Sequence, residues 1–293
     1  MLIIERILGV TLPIFAIALA GFLYTRYRKP ILSGANQISV ELCLPALIFT
    51  SLSAKEFEFG QNGLLLFTST ALVLVSGIVA WPLARIAGVE TRAFLPCVMF
   101  GNVGPVGIPL TVLAFGQAGL APAVLLLVLS NILHFTVGIW VMSGRADLKS
   151  VLASPLVWST LLGLAFSSFH LQIPAWLEVT LTLIGNILVP MMLLSLGARL
   201  AEGQSTQWRA GVIGAVGAPL VRIAVAAVLL QLLPLNGVQG GAFLMFAALP
   251  PAVFNYLLAD RFGRDPEKVA AIVIAGHFAS VAFLPLALLI ALE

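Results

Sequence analysis

Charge is scarce in this chain. Its 12 acidic and 15 basic residues make up only 9% of 293 positions, too few to solvate the surface of a water-soluble globule of this length. Cysteine is scarcer still. Cys43 and Cys97 each lie in an apolar run, at no spacing that a disulfide framework or metal site uses, and read as small buried hydrophobes. Histidine occurs 3 times. The chain has no His-Glu-x-x-His, no Cys-x-x-Cys, no phosphate loop and no nucleophile elbow, and no connection long enough for an ATPase domain. No catalytic residue, cofactor or metal is therefore expected. The basic residues fall singly or in twos and threes between apolar runs, which argues against a nucleic-acid partner.

What the chain has is apolar length. With 60% hydrophobic residues and a mean hydropathy of +1.10, it reads as an all-α integral membrane protein whose first partner is the lipid bilayer. A spanning helix needs about 20 apolar residues. Dividing the chain at charged and Gly/Pro-rich breaks predicts ten transmembrane helices, over 5–25, 33–53, 63–86, 92–116, 120–143, 151–170, 175–199, 209–233, 238–259 and 267–291. The first run has no cleavage pattern of small residues and is long for a signal peptide, so it counts as a span.

Lys and Arg distribution gives the orientation. Of the 15 basic residues, 12 fall in odd-numbered connections: Arg26, Arg28, Lys29, Arg85, Arg92, Arg145, Lys149, Arg199, Arg209, Arg261, Arg264 and Lys268. The even connections hold Lys55 alone. Both termini are then expected outside, in a multi-pass plasma-membrane protein, with a bacterial inner membrane as the expected location.

Two stretches interrupt the apolar pattern. Met99 to Phe115 reads MFGNVGPVGIPLTVLAF, and Met245 to Phe262 reads MFAALPPAVFNYLLADRF. Shifted by about 145 residues, the chain aligns these breaks with each other, LPALIFTSLSA with VPMMLLSLGAR, Phe115-Gly116 with Phe262-Gly263, and His134 close to His277. Two five-helix repeats are predicted, 1–143 and 151–293, joined by a short cytoplasmic connection over 144–150. Five is odd, so the repeats are inverted in the membrane.

Crossing helices 4 and 9 then bring two half-helix N-termini together near the midplane. Unpaired N–H groups and the positive dipole ends favour an anion there. The candidate substrate-binding residues are Asn102, Gly104, Pro105, Val106 and Gly107 from the first break, and Pro250, Pro251, Phe254 and Asn255 from the second. Candidate coupling or supporting residues are Glu41, Asn186, Arg222, Asn131, His134 and His277. Glu41 and Asn186 each stand four residues before a proline, Pro45 and Pro190, beside a carbonyl that the proline leaves unpaired. Glu41 is either a coupling group or a structural partner. Arg222 either snorkels, pairs with Glu41 or holds substrate. The two histidines either carry protons or hydrogen-bond between helices.

GNVGPVGIPLTVLAFG, ALPPAVFNYLLADRFGRDPEKVAAIVIA, GANQISVELCLPALIFTSLS and GNILVPMMLLSLGARL resemble spans 4, 9, 2 and 7 of the auxin efflux carrier family. That resemblance implies a scaffold and transport division, a crossover site and elevator-like movement. The short middle connection, and Asn255 where plant PIN-type carriers have proline, make the chain more similar to short bacterial members resembling malonate and other carboxylate permeases. The expected function is secondary transport of a small organic anion, a carboxylate or auxin-like acid. Proton and sodium are the candidate coupling ions, and a homodimer is the candidate assembly. A membrane-embedded enzyme and a channel or sensor are the competing classes.

Overall fold

Apolar runs in a chain this poor in polar side chains must satisfy their backbone groups internally, and helices do so within one segment. The computed structural model describes residues 3–28, 33–53, 62–144, 155–202, 207–233, 235 and 237–292. Lys29, Lys55, Arg145, Lys149 and the connection from 145 to 150 lie outside the described residues. Among the described residues the regular structure is helical, and one isolated β-bridge joins Gly101 to Pro251.

Among the described residues four helices are long and apolar enough to cross a membrane: Leu120–Ser143, Ala175–Ser195, Trp208–Leu232 and Pro266–Ala291. A bent pair, Gly63–Val79 and Trp81–Ala87, makes a fifth, kinked by 47° where Pro82 enters the second helix. The remaining segments include Ile3–Arg28, Leu44–Ser53, Pro155–Ser168 and the two interrupted stretches. Ahead of Pro45 the helix widens into a π-turn over Ser39–Cys43, with the Leu44 N–H bonding Ser39 O. The same solution appears over Val103–Gly107, ahead of Pro109, where the Ile108 N–H bonds Val103 O. A wide turn lets the chain absorb a missing proline donor without opening the helix.

The segments pack in two groups. In the first, Ile3–Arg28 lies along Ala175–Glu202, and Leu44–Ser53 packs on both Pro155–Ser168 and Ala175–Glu202. Glycine permits this closeness: a Cβ at Gly21 would strike the Leu194 backbone, and one at Gly197 the Ala18 backbone. In the second group Trp208–Leu232 packs on Pro266–Leu292, and both touch Thr91–Met99 and Gly237–Ala248. Each group takes elements from both halves of the chain. The first break lies where they meet: Val103–Gly107 touches Ala175–Glu202, and Ile108–Phe115 touches Ile3–Arg28.

Connections distant in sequence also come together. Arg264 pairs with Glu90, Lys268 Nζ donates to Gly88 O at 2.7 Å, and Asp265 accepts the Glu90 N–H at 2.8 Å. Arg209 donates to Ile86 O at 3.2 Å. Elsewhere, Gln239 Nε2 donates to Asn62 Oδ1 at 2.9 Å.

Candidate functional site, a crossing of two broken helices

Thr91–Met99 ends where Phe100 turns extended, with φ −116° and ψ 112°. Gly237–Ala248 ends before Pro250 and Pro251, which have no N–H to satisfy. The two interruptions cross and complete each other. Asn102 N–H donates to Pro250 O at 2.7 Å, and Ala252 N–H donates to Phe100 O at 2.9 Å, on either side of the Gly101 to Pro251 bridge. Past the crossing, the chain re-enters helix over Val103–Gly107 and Ile108–Phe115 on one side and Phe254–Phe262 on the other. Gly104, Val106 and Gly107 are buried at the first of these starts, and the N–H groups of Val106 and Gly107 are turned onto Asn102 O.

Both asparagines are buried in the crossing and hold it from opposite sides. Asn255 Nδ2 donates to Phe100 O at 3.3 Å. Asn102 Nδ2 lies 2.9 Å from His277 Nε2, while His277 Nδ1 lies 2.7 Å from Val273 O. A carbonyl only accepts, so Nδ1 carries the proton of the neutral ring and Nε2 accepts from the asparagine. His134 stacks on Phe100 with centroids 4.1 Å apart and planes 6° from parallel, and meets Phe254 edge-on at 5.1 Å. Gly138 makes the stack possible: a Cβ there would be 2.7 Å from His134 Cδ2 and 2.9 Å from Phe100 Cε2. Each crossing asparagine thus stands beside the histidine contributed by the other half of the chain.

Arg222, only 1% exposed, reaches the same place from the middle of Trp208–Leu232. Its Nε donates to Ala247 O at 3.0 Å and its Nη2 to Leu249 O, capping the C-terminal end of the half-helix with a cation. At the crossing His134 and Asn255 have each other as side-chain neighbours, and the buried Arg222 Nη1 has no partner; Asn131 Nδ2, one turn before His134, is likewise buried without one.

The structure thus brings together Asn102, Gly104, Val106, Gly107, Pro250, Pro251, Phe254, Asn255, His134, His277 and Arg222, with the Pro105 backbone inside the same turn. It does not join Arg222 to Glu41. Glu41 is exposed and accepts from Gln37 Nε2 at 3.2 and 3.3 Å. Asn186 is exposed on the unbroken helix Ala175–Glu202. The sequence reading missed Phe100, whose carbonyl accepts from both Ala252 and Asn255. It also missed Gly276, where a Cβ would be 2.5 Å from Pro251 Cδ. A phenylalanine or glycine in an apolar run carries no local sign of such a role.

A helical fold closed around a crossing of two interrupted segments, in a chain of this hydropathy, fits a multi-pass membrane transporter. Residues 140–290 match the model of the membrane transport protein family. The chain belongs to that family, which includes the auxin efflux carriers. A Rhizobium meliloti protein named "Putative malonate transporter" is 26% identical over 306 residues, covering 94% of this chain and 93% of its own. A protein of Methanocaldococcus jannaschii named as an uncharacterized transporter is 25% identical, covering 80% and 82%. Another so named, from Methanothermobacter thermautotrophicus, is 25% identical and covers 87% of each chain. Family and relatives alike are transporters rather than enzymes.

Proposed function

We propose that the protein is a secondary carrier for a small organic anion, and that a carboxylate binds at the crossing of the two broken helices. The observation that carries this reading is the pair of half-helices that begin on opposite sides of the Gly101 to Pro251 bridge. Half-helix N-terminal ends beside such a crossing would favour negative charge. Asn102 and Asn255 each use one side-chain N–H to organise the crossing, and an amide has a second to offer. The relative named for malonate supports a carboxylate as cargo.

In this reading the chain crosses the inner membrane ten times, as two inverted five-helix repeats, with both termini outside. The contacts between connections support that parity. Odd connections meet odd ones through Arg264 with Glu90 and Arg209 with Ile86, and even meets even through Gln239 and Asn62. The group formed by Ile3–Arg28, Leu44–Ser53, Pro155–Ser168 and Ala175–Glu202 is the scaffold. The other group carries the crossing past it as an elevator, which fits the position of the first break at the boundary between them.

Counterflow in proteoliposomes tests the function. Labelled malonate should enter faster when unlabelled malonate is inside, and leave chemically unchanged. Flux without trans-stimulation would mean a channel, and an altered molecule an enzyme. Binding of a substrate's neutral ester as tightly as the acid would remove the dipole argument.

A further inference from the structure

We propose that Arg222 is the fixed counter-charge of the carried anion, a specificity-determining residue that lets the crossing take a carboxylate without a co-bound metal cation. The inference rests on the carboxylate reading above and adds to it the group that selects the charge.

A guanidinium has three nitrogens, and here two are spent on carbonyls: Nε on Ala247 O and Nη2 on Leu249 O. The third, Nη1, is buried and has no partner. It lies against the crossing itself, 3.0 Å from where a Cβ on Gly101 would stand. Neutral carbonyls orient the cation but leave its unit charge in place. The acidic side chains described elsewhere are engaged or exposed: Glu41 with Gln37, Glu90 with Arg264, Asp265 with Lys268, and Glu178, Asp260 and Glu267 on the surface. A buried charge without a counter-ion is strongly unfavourable. A carboxylate arriving at Nη1 removes that penalty, so the site is selective for an anion before any other contact is made.

The carbonyls point the same way. In transporters with interrupted helices, unwound carbonyls and half-helix C-terminal ends are where a coupling Na⁺ is held. Here six of the oxygens at the two breaks accept from the protein. Phe100 O accepts from Ala252 and Asn255, Gly101 O from Val103, Asn102 O from Val106 and Gly107, and Pro250 O from Asn102. Ala247 and Leu249 are held by Arg222. The guanidinium is a tethered cation in the place that an alkali ion would need.

Malonate is the first probe, titrated calorimetrically into the full chain in lipid nanodiscs with Na⁺, K⁺ or N-methylglucamine as the only cation. A panel of mono- and dicarboxylates follows in the same three salts. Wild-type affinity should agree among the salts to within about twofold, well under the tenfold that 1.4 kcal/mol represents. Arg222→Gln should weaken binding by about tenfold to 150-fold, as expected for losing a hydrogen bond to a charged group. Arg222→Lys, which keeps the charge and loses the fork, should fall between the two. Binding that needs Na⁺, or an Arg222→Gln variant that binds as tightly as wild type, overturns the assignment and leaves the carboxylate reading standing. If no carboxylate binds wild type in any salt, that reading falls and this one with it. Should Arg222→Gln fail to fold, the comparison of salts on wild type decides.

Discussion

The two breaks, after Met99 and after Ala248, occupy matching places in the sequence and are closed by different chemistry. At the first, the exposed helix end is Phe100 O, and it is capped by neutral donors, the Ala252 N–H and the Asn255 amide. At the second, Ala247 O and Leu249 O are capped by the guanidinium of Arg222. Both caps satisfy carbonyls, and only one brings a charge. The crossing therefore has a neutral side and a cationic side, and in the proposed carrier the cationic side is what would favour an anion over a neutral molecule.

Substitutions that press on one break at a time can sharpen or break that comparison. The largest effect is expected under the second break, where Gly276 touches the Pro251 ring. A Cβ there would be 2.5 Å from Cδ and 3.1 Å from Cγ of a ring that cannot swing away. Gly276→Ala should destabilise the protein in detergent by about 2 kcal/mol, an overpacking cost of about 3 less the gain of about 1 in helix propensity. Gly107→Ala, whose Cβ would meet the mobile Leu249 Cδ1 at 2.9 Å, should cost well under about 1 kcal/mol because that methyl can rotate. Equal losses would show that the crossing yields as a whole and that rigid contact with Pro251 is not what fixes it.

Next come the two asparagines. Asn102→Ala leaves His277 Nε2 buried without its partner, an expected loss of about 1.5 kcal/mol. Asn255→Ala leaves Phe100 O with the Ala252 N–H still in place, and about 1 kcal/mol should suffice. Unfolding in graded denaturant detergent orders the two. A double-mutant cycle of Asn102→Ala with His277→Ala should return a coupling of about 1 kcal/mol or more. The reverse order, or no coupling, would mean that the first break is held by its backbone pairing alone.

The smallest effect belongs to the cluster that ties the ends of both broken segments together. Arg264 and Glu90 are 29% and 40% exposed, so Glu90→Gln should cost about 0.5 kcal/mol at low salt and almost nothing at high salt. A salt-insensitive loss would reassign Glu90 to packing or backbone geometry.

Much of the architecture was legible along the chain. Proline and glycine act on their own backbone, so the interruptions near Gly101 and Pro250 could be read locally, and the spacing of landmarks such as Phe115-Gly116 and Phe262-Gly263 is the ground for proposing that they correspond. Membership of the membrane transport protein family rests on the match over residues 140–290, which include the second break. Glu41 shows the limit of local reading: its place before Pro45 marked it as special, yet its partner is Gln37, four residues away on the same helix, and not Arg222.

What the sequence by itself determined is therefore whatever depends on neighbours in the chain: apolar length, the positions of the breaks, and the residue types available beside them. Which carbonyl Arg222 caps, which histidine meets which asparagine, and which glycine lies under Pro251 were decided by the tertiary structure alone. Hydrogen bonds and van der Waals contacts act over a few ångströms, and the pairs that make the crossing, such as Asn102 with His277 and Arg222 with Ala247, come within that range only when the two halves of the chain have folded against each other.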